Sequence, residues 1–319
     1  MAFKDSSLLQ RIAVALFGIP LIVFLVMAGG YFFYGLIVVI TLIALREFFG
    51  LVSLKGHTPV RWVGMMIGFL VVSSFIFERL QLDFYEYLLD SGLQMPIFSQ
   101  LQLLLVVILL GSFLTQMVVL FQRDNSALLV SAGTLGGVII IALSLGTLVG
   151  LREVFPANFP VAKFFPSFTG SYFDTELRST IDQWGGYTIM SVLVSIWLCD
   201  TAAYFIGLTF GKHRLFERVS PKKSWEGAIA GVAGAVLGMV IGYSLFIPYL
   251  GLTHAVILGM IIGVFGQMGD LVESRMKRDA GVKDSSSLLL GHGGFYDRFD
   301  SLIFVGPIVF VYIDFLILS

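Results

Sequence analysis

The sequence predicts an all-α polytopic integral membrane protein with about nine transmembrane helices, whose C-terminal part forms a glycine-rich catalytic bundle. Three observations predict it. Of the 319 residues 57% are hydrophobic and only 13% are charged, where soluble domains carry about 25% charged residues, and mean hydropathy is +0.92. Apolar runs of roughly 17–25 residues, the length that crosses a hydrocarbon core of about 30 Å, recur along the chain. The charges gather between these runs, most densely in two segments of the C-terminal half.

In chain order the runs lie at 11–29, 31–52, 62–78, 101–121, 127–150, 187–209, 226–247, 252–269 and 301–318. The first follows Lys4 and Arg11 in the manner of a secretory signal, but no small-residue cleavage site before a polar region follows it, so it reads as a span. The next four are mostly Leu, Ile, Val and Phe, which suits scaffold helices, and no chemistry is assigned to the first 150 residues. Leu151 to Gly186, with Pro156, Pro160 and Pro166, breaks the pattern and reads as an outer, interfacial or irregular loop. The chain thus divides into an N-terminal scaffold, 1–186, and a C-terminal catalytic bundle, 187–319. In the bundle Gly227, Gly231, Gly234, Gly238 and Gly242 recur at three and four residues, as do Gly259, Gly263, Gly266 and Gly269. Small residues at that spacing let helix backbones approach closely. The single Cys199 excludes an internal disulfide and a thiolate metal cluster and reads as a small core residue.

Lys and Arg are enriched in cytoplasmic loops. With the N-terminus inside, the inner segments hold Lys4, Arg11, Arg46, Lys55, Arg61, Arg123, Lys212, Arg214, Arg218, Lys222, Lys223, Arg275, Lys277, Arg278, Lys283 and Arg298, sixteen of the 20 in the chain. Arg79, Arg152, Lys163 and Arg178 fall outside. Both strongly basic segments are then cytoplasmic, and an odd number of spans puts the C-terminus outside.

Three polar islands interrupt the bundle. Asp200 lies inside an apolar run, where a carboxylate costs roughly 2.5–3.5 kcal/mol on insertion scales, so it either bonds a neighbouring helix or faces a polar cavity. Gly211–Gly227 contains the compact element Ser220-Pro221-Lys222-Lys223-Ser224-Trp225-Glu226-Gly227. Adjacent lysines and hydroxyls beside the start of a helix suit a phosphate group. The third island runs from Gly269 to Asp300. If the preceding span stays helical, Asp270, Glu273, Ser274 and Lys277 share one face at i, i+3, i+4 and i+7. Beyond Lys283-Asp284 come a serine-rich turn and Gly291-His292-Gly293-Gly294, then Asp297 and Asp300 at the start of the last span. Carboxylates from two helix ends suit magnesium, which prefers one or two carboxylates plus phosphate oxygens and water. Lysines and arginines around it would neutralise remaining phosphate charge. His292 alone is a weak metal signal and equally serves to order the glycine loop.

Taken together, S-R-M-K-R-x4-K-D…G-H-G-G-F-Y-D-R-F-D, with G-D-L-V-E-S before it and S-P-K-K-S-W-E-G upstream, resembles the phosphatidate cytidylyltransferases, the CDP-diacylglycerol synthases. The likeness covers roughly Asp200 to Asp300; the N-terminal spans agree only in hydropathy. Leu290 stands where that family usually has Pro or Gly, leaving the turn before His292 less constrained, and Ser224 where Thr is common. The resemblance implies a magnesium-dependent nucleotidyltransferase that makes CDP-diacylglycerol and pyrophosphate from CTP and phosphatidic acid. It implies Asp270 and Asp297 as first metal ligands, with Asp300, Asp284 and Glu273 beside them, and allows a second cation such as K+. Phosphate contacts fall to Lys222, Lys223, Lys277, Arg278 and Arg298, supported by Ser220, Ser224 and His292; Lys283 and Ser274 complete the candidate site. The expected partners are CTP, phosphatidic acid and membrane lipids, with no nucleic acid and a homodimer left open. The expected location is a bacterial cytoplasmic (inner) membrane with the site on its cytoplasmic side.

Two alternatives differ in chemistry. An ion-coupled transporter would hold its charges near the midplane in two related halves, but here most lie at helix ends and no repeat is present. A CDP-alcohol phosphotransferase, also magnesium-dependent, would carry D-G-x2-A-R…G…D-x3-D. Here Gly269-Asp270 reverses the first pair, and Asp297 and Asp300 are three apart.

Overall fold

The structure is a computed structural model that describes residues 16–90, 99–122, 126–165, 175–286, 288 and 293–319. Helix α1 spans Leu16–Ala28. It is followed by α2 (Gly30–Leu54), α3 (Arg61–Ser74), α4 (Phe77–Asp90), α5 (Gln100–Leu120), α6 (Ala127–Gly137), α7 (Ser144–Asn158), α8 (Val161–Phe164) and α9 (Thr175–Phe210). A hairpin of β1 (Arg214–Phe216) and β2 (Ser220–Ser224) leads to α10 (Trp225–Leu245), α11 (Leu252–Asp279) and α12 (Tyr296–Tyr312). π-helical turns, Val138–Leu143 and Ile313–Leu318, join α6 to α7 and extend α12.

Among the described residues seven helices are long and apolar enough to cross a membrane: Gly30–Leu54, Gln100–Leu120, Ala127–Pro156, Glu176–Phe210, Trp225–Leu245, Leu252–Asp279 and Tyr296–Leu318. The chain is an all-α polytopic membrane protein, and the count of nine is not confirmed. Of the first expected run, residues 11–15 lie outside the described residues and 16–28 form α1; the third forms the shorter α3. The 14 residues of α3 rise about 21 Å, short of a hydrocarbon core of about 30 Å.

The segment expected as an outer loop is largely helical where it is described. Helix α7 continues through Pro156 to Asn158, and α9 begins at Thr175 and runs unbroken past 186. The polar residues that looked like loop are paired within the bundle. Arg152, fully buried, makes a two-pronged ion pair with Asp182 at 2.8 and 3.0 Å and donates to the Val26 carbonyl. Beside it Arg79 pairs with Glu153 at 2.5 Å. Gly29 and Gly30 take φ of 62° and 47°, a left-handed bend that brings the α1–α2 corner against both arginines; side chains are strained in this region and glycine is not. Phe155, Phe159, Phe164, Trp184 and Tyr249 pack into one aromatic cluster at the same end, Tyr249 meeting Phe155, Phe159 and Phe164 edge to face.

The glycine periodicity works as expected. On α10, Gly231, Gly234, Gly238 and Gly242 rest on Cys199, Leu198, Ser195 and Ser191 of α9. On α11, Gly259 and Gly263 rest on Val236 and Val232 of α10. A Cβ at Gly238 would lie 2.7 Å from the Ser195 hydroxyl oxygen and one at Gly263 2.7 Å from the Val232 Cα, closer than atoms pack. Cys199 is buried at the α9–α10 contact, the core role expected of it. Helix α12 packs on α11, α7 and α2, which ties the scaffold to the bundle.

The Arg152–Asp182 pair yields a stability prediction. Arg152→Met leaves Asp182 without its partner and should cost about 3 kcal/mol, the low end for a broken buried pair because Asp182 is partly exposed. A thermal unfolding midpoint in detergent micelles equal to that of the parent protein would show the pair to be dispensable.

Candidate active site

Helix α11 passes the end of its apolar run and stops only at a Schellman turn. Gly281 has φ 75°, its N–H bonds the Arg278 carbonyl, and the Val282 N–H bonds the Lys277 carbonyl at 3.0 Å; glycine at this position is the usual helix stop. The extra turns put Asp270, Glu273, Ser274 and Lys277 on one face, as expected. Glu273 is 1% exposed and Lys277 8%. Asp300 on α12 faces them, and Asp270, Glu273 and Asp300 each bring a carboxylate oxygen within 4.8 Å of the others.

Lysines partly offset this charge. Lys277 Nζ bridges Glu273 (2.8 Å) on its own helix and Asp297 (2.9 Å) on α12. Lys223 Nζ lies 2.5 Å from Asp270, whose other oxygen accepts from the Ser274 hydroxyl at 3.2 Å. Asp297 also accepts from the backbone N–H groups of Ser285 (3.0 Å) and Gly294 (2.7 Å). It lies outside the three-carboxylate group, and its bonds tie the turn after α11 to the start of α12.

The hairpin explains why the two adjacent lysines behave differently. Side chains alternate along a strand, so Lys222 faces solvent while Lys223 turns in to Asp270. Ser220 is half-buried at the start of β2. Ser224 is buried and caps α10, its hydroxyl accepting the Gly227 N–H at 3.2 Å. Glu226 accepts from the backbone of Lys212 and His213 and from His213 Nδ1 (2.6 Å), fastening the hairpin to the helix start.

Acids of α11 and α12 close one end of a cavity of about 430 Å³. Asp200, Asp270, Glu273, Lys277, Asp297, Arg298 and Asp300 form its polar end, and Val26, Phe33, Ile37, Ile189, Val192 and Ile196 are among the side chains of its apolar wall. Asp200 therefore faces a polar cavity, one of the two roles left open for it. Arg278, which donates to the Val282 carbonyl at 3.0 Å, is exposed, as are Lys283 and Asp284. None of these three lines the cavity. His292 and Leu290 lie outside the described residues.

One residue of the scaffold reaches this site although no chemistry was assigned there. Glu47 of α2, 7% exposed, accepts from the hydroxyls of Ser285 and Ser286 and the backbone N–H groups of Phe295 and Tyr296. Its only sequence signal was an acid inside an apolar run, next to Arg46, which topology alone accounted for.

The donor set suits a hard divalent cation. Glu273 Oε1 is buried and finds no hydrogen-bond donor among the described residues. An unpartnered buried carboxylate oxygen costs several kcal/mol, and among the described residues the five carboxylates of the cavity outnumber the three cations beside them, Lys223, Lys277 and Arg298. Asp270, Glu273 and Asp300 can therefore hold a metal ion.

Fold and site define a polytopic membrane protein with an acid-lined, cation-ready cavity that is apolar along its other side. Within that class, the model of the cytidylyltransferase family matches residues 9–316, and the chain belongs to that family. The phosphatidate cytidylyltransferase of Synechocystis sp. is 33% identical over 314 residues, 95% of this chain and 96% of that protein. The Bacillus subtilis enzyme of the same name is 42% identical over 138 residues, 42% of this chain and 50% of its own. That of Staphylococcus saprophyticus is 41% identical over 126 residues, 39% and 48% of the two chains. Neither the transporter nor the CDP-alcohol phosphotransferase alternative gains support from these matches.

The three-carboxylate group predicts metal affinity. Asp300→Asn and Glu273→Gln should each weaken manganese(II) binding by more than about tenfold, read from the free-ion paramagnetic resonance signal in detergent. Equal affinity in all three proteins would remove these residues from the metal group.

Proposed function

We propose that this protein is a phosphatidate cytidylyltransferase, transferring CMP from CTP to phosphatidic acid to give CDP-diacylglycerol and pyrophosphate. The observation that carries this reading is the two-sided cavity. A lipid phosphate and a nucleotide triphosphate need cations and a metal at one end, and acyl chains need an apolar wall at the other. Charged and apolar linings meet here within one cavity.

In the transfer a phosphate oxygen of phosphatidic acid attacks the α-phosphorus of CTP, and the bond to the bridging oxygen of the β-phosphate breaks to release pyrophosphate. Such transfers need little covalent help from the protein; positioning and charge neutralisation do most of the work. Bound by Asp270, Glu273 and Asp300, magnesium would polarise the phosphoryl oxygens and offset their charge. The same anionic end would take K+ as a second, monovalent cation. Asp297, held by Lys277 and two backbone N–H groups, positions the α12 start and is a less direct ligand than the other three. Lys222, exposed on the hairpin, and Arg298, at the cavity, meet the nucleotide phosphates. Lys223 joins them when Asp270 turns to the metal. Ser224 supports the hairpin by capping α10. Arg278, Lys283 and Asp284 form the approach to the site. The site then opens to the cytoplasm of a bacterial inner membrane, where CTP is found, while the lipid arrives sideways from the bilayer.

The direct test uses purified protein in micelles with phosphatidic acid and α-labelled CTP, with magnesium and with chelator. Label should enter the lipid phase only with magnesium, alongside pyrophosphate. A folded sample that leaves all label in the aqueous phase would sink the proposal. Within the same assay Lys223→Met should raise KM for CTP by about tenfold, equivalent to about 1.4 kcal/mol. An unchanged KM would confine Lys223 to holding Asp270.

A further inference from the structure

We propose that Glu47 is a positioning residue for catalysis: a scaffold carboxylate that fixes both ends of the 285–296 segment and thereby sets where Asp297 and Asp300 stand. The proposal rests on the cytidylyltransferase reading for its kinetic consequence, though its structural part is independent of it. Glu47 Oε1 accepts from Ser286 Oγ (2.6 Å) and the Phe295 N–H (3.1 Å); Oε2 accepts from Ser285 Oγ (3.0 Å) and the Tyr296 N–H (2.8 Å). The donors lie 238 to 249 residues away in sequence.

The geometry goes beyond burial of a stray acid. Phe295 is the N-cap and Tyr296 the first residue of α12, and N–H groups at the start of a helix have no intrahelical acceptor. A carboxylate there satisfies them and complements the positive end of the helix dipole. Ser285 donates to Glu47 through its hydroxyl and to Asp297 through its backbone N–H, so a single residue couples the scaffold acid to the site acid. Gly294 lies against Glu47 so closely that a Cβ there would overlap the carboxylate, while its N–H bonds Asp297. Next to Glu47, Phe48 packs edge-on against Tyr296, ring centroids 6.0 Å apart, which holds the same joint from its apolar side. Asp297 follows the anchored Tyr296 directly, and Asp300 is one helical turn further on, so a shift of the α12 start moves both.

The chemistry of the anchor defines its test. Every group facing Glu47 in these four bonds is a donor, and two are backbone N–H groups that cannot reverse role. Glu47→Gln keeps the size but presents an amide NH2 at one position, leaving either Phe295 or Tyr296 N–H facing another donor. Glu47→Asp keeps both acceptors on a shorter stem. Turnover and backbone hydrogen exchange are measured on the parent protein and both variants in lipid-detergent micelles. Glu47→Gln should lower kcat by about 10–100-fold, as loss of an outer support typically does, with a smaller change in KM for CTP. Exchange should accelerate at residues 293–300 and stay unchanged in α9 and α10. Glu47→Asp should recover part of both. A wild-type kcat in Glu47→Gln, or exchange that rises evenly over all helices, would overturn the proposal. Should Glu47→Gln not yield folded protein, the Ser285→Ala/Ser286→Ala double variant removes two of the four donors and keeps the carboxylate. Unchanged exchange at 293–300 in that variant would equally overturn it. A parent protein that transfers no label would count against the cytidylyltransferase reading, and the exchange comparison would still decide the role of Glu47.

Discussion

Five carboxylates line one cavity of a helical bundle, and at close range in a poorly solvated site they repel one another unless cations are held among them. Lys277 meets much of that need. It is buried, and its ammonium bonds Glu273 on α11 and Asp297 on α12, so one charge both offsets two acids and joins two helices. The acidic end of the bundle depends on this contact. Without it α11 and α12 would face each other with like charge. The remaining imbalance is what leaves Asp270, Glu273 and Asp300 suited to a metal.

The opposite end of the molecule uses charge differently. Arg152 and Arg79 are matched to Asp182 and Glu153, and Lys163 bonds the carbonyls of Ile317 and Ser319. Arg79, Arg152 and Lys163, all assigned to the outer side, thus have internal partners. Charge at that end serves folding; at the other it is left in excess, and a phosphate-bearing substrate with its metal can complete it. Between the two ends the glycine faces of α10 and α11 bring α9, α10 and α11 close enough to hold Asp200 and Asp270 against the same cavity.

The lining of the cavity comes from distant parts of the chain. Val26, Phe33 and Ile37 come from the scaffold helices, and Ile189, Val192 and Ile196 from α9, while the acids come from α9, α11 and α12. A water-soluble nucleotide and a membrane lipid can share such a site because its polar and apolar linings meet within one cavity, α9 alone supplying Asp200 to the first and Ile189, Val192 and Ile196 to the second.

Much was legible in the sequence because it depends on local spacing. Apolar run length gave seven of the spans, glycine periodicity gave the close helix faces, and the i, i+3, i+4, i+7 pattern placed Asp270, Glu273, Ser274 and Lys277 on one face. The G-D-L-V-E-S, S-P-K-K-S-W-E-G and G-H-G-G-F-Y-D-R-F-D motifs gave the family. Tertiary structure decided what depends on contacts between distant segments. It set Lys223 rather than Lys222 on Asp270, drew Asp297 into the turn and away from the three-carboxylate group, and made the expected outer loop mostly helix by pairing Arg152 with Asp182. Above all it brought Glu47 to the start of α12. Periodicity records which residues share a face of one helix; a hydrogen bond across some 240 residues leaves no period, because it depends on how whole helices pack.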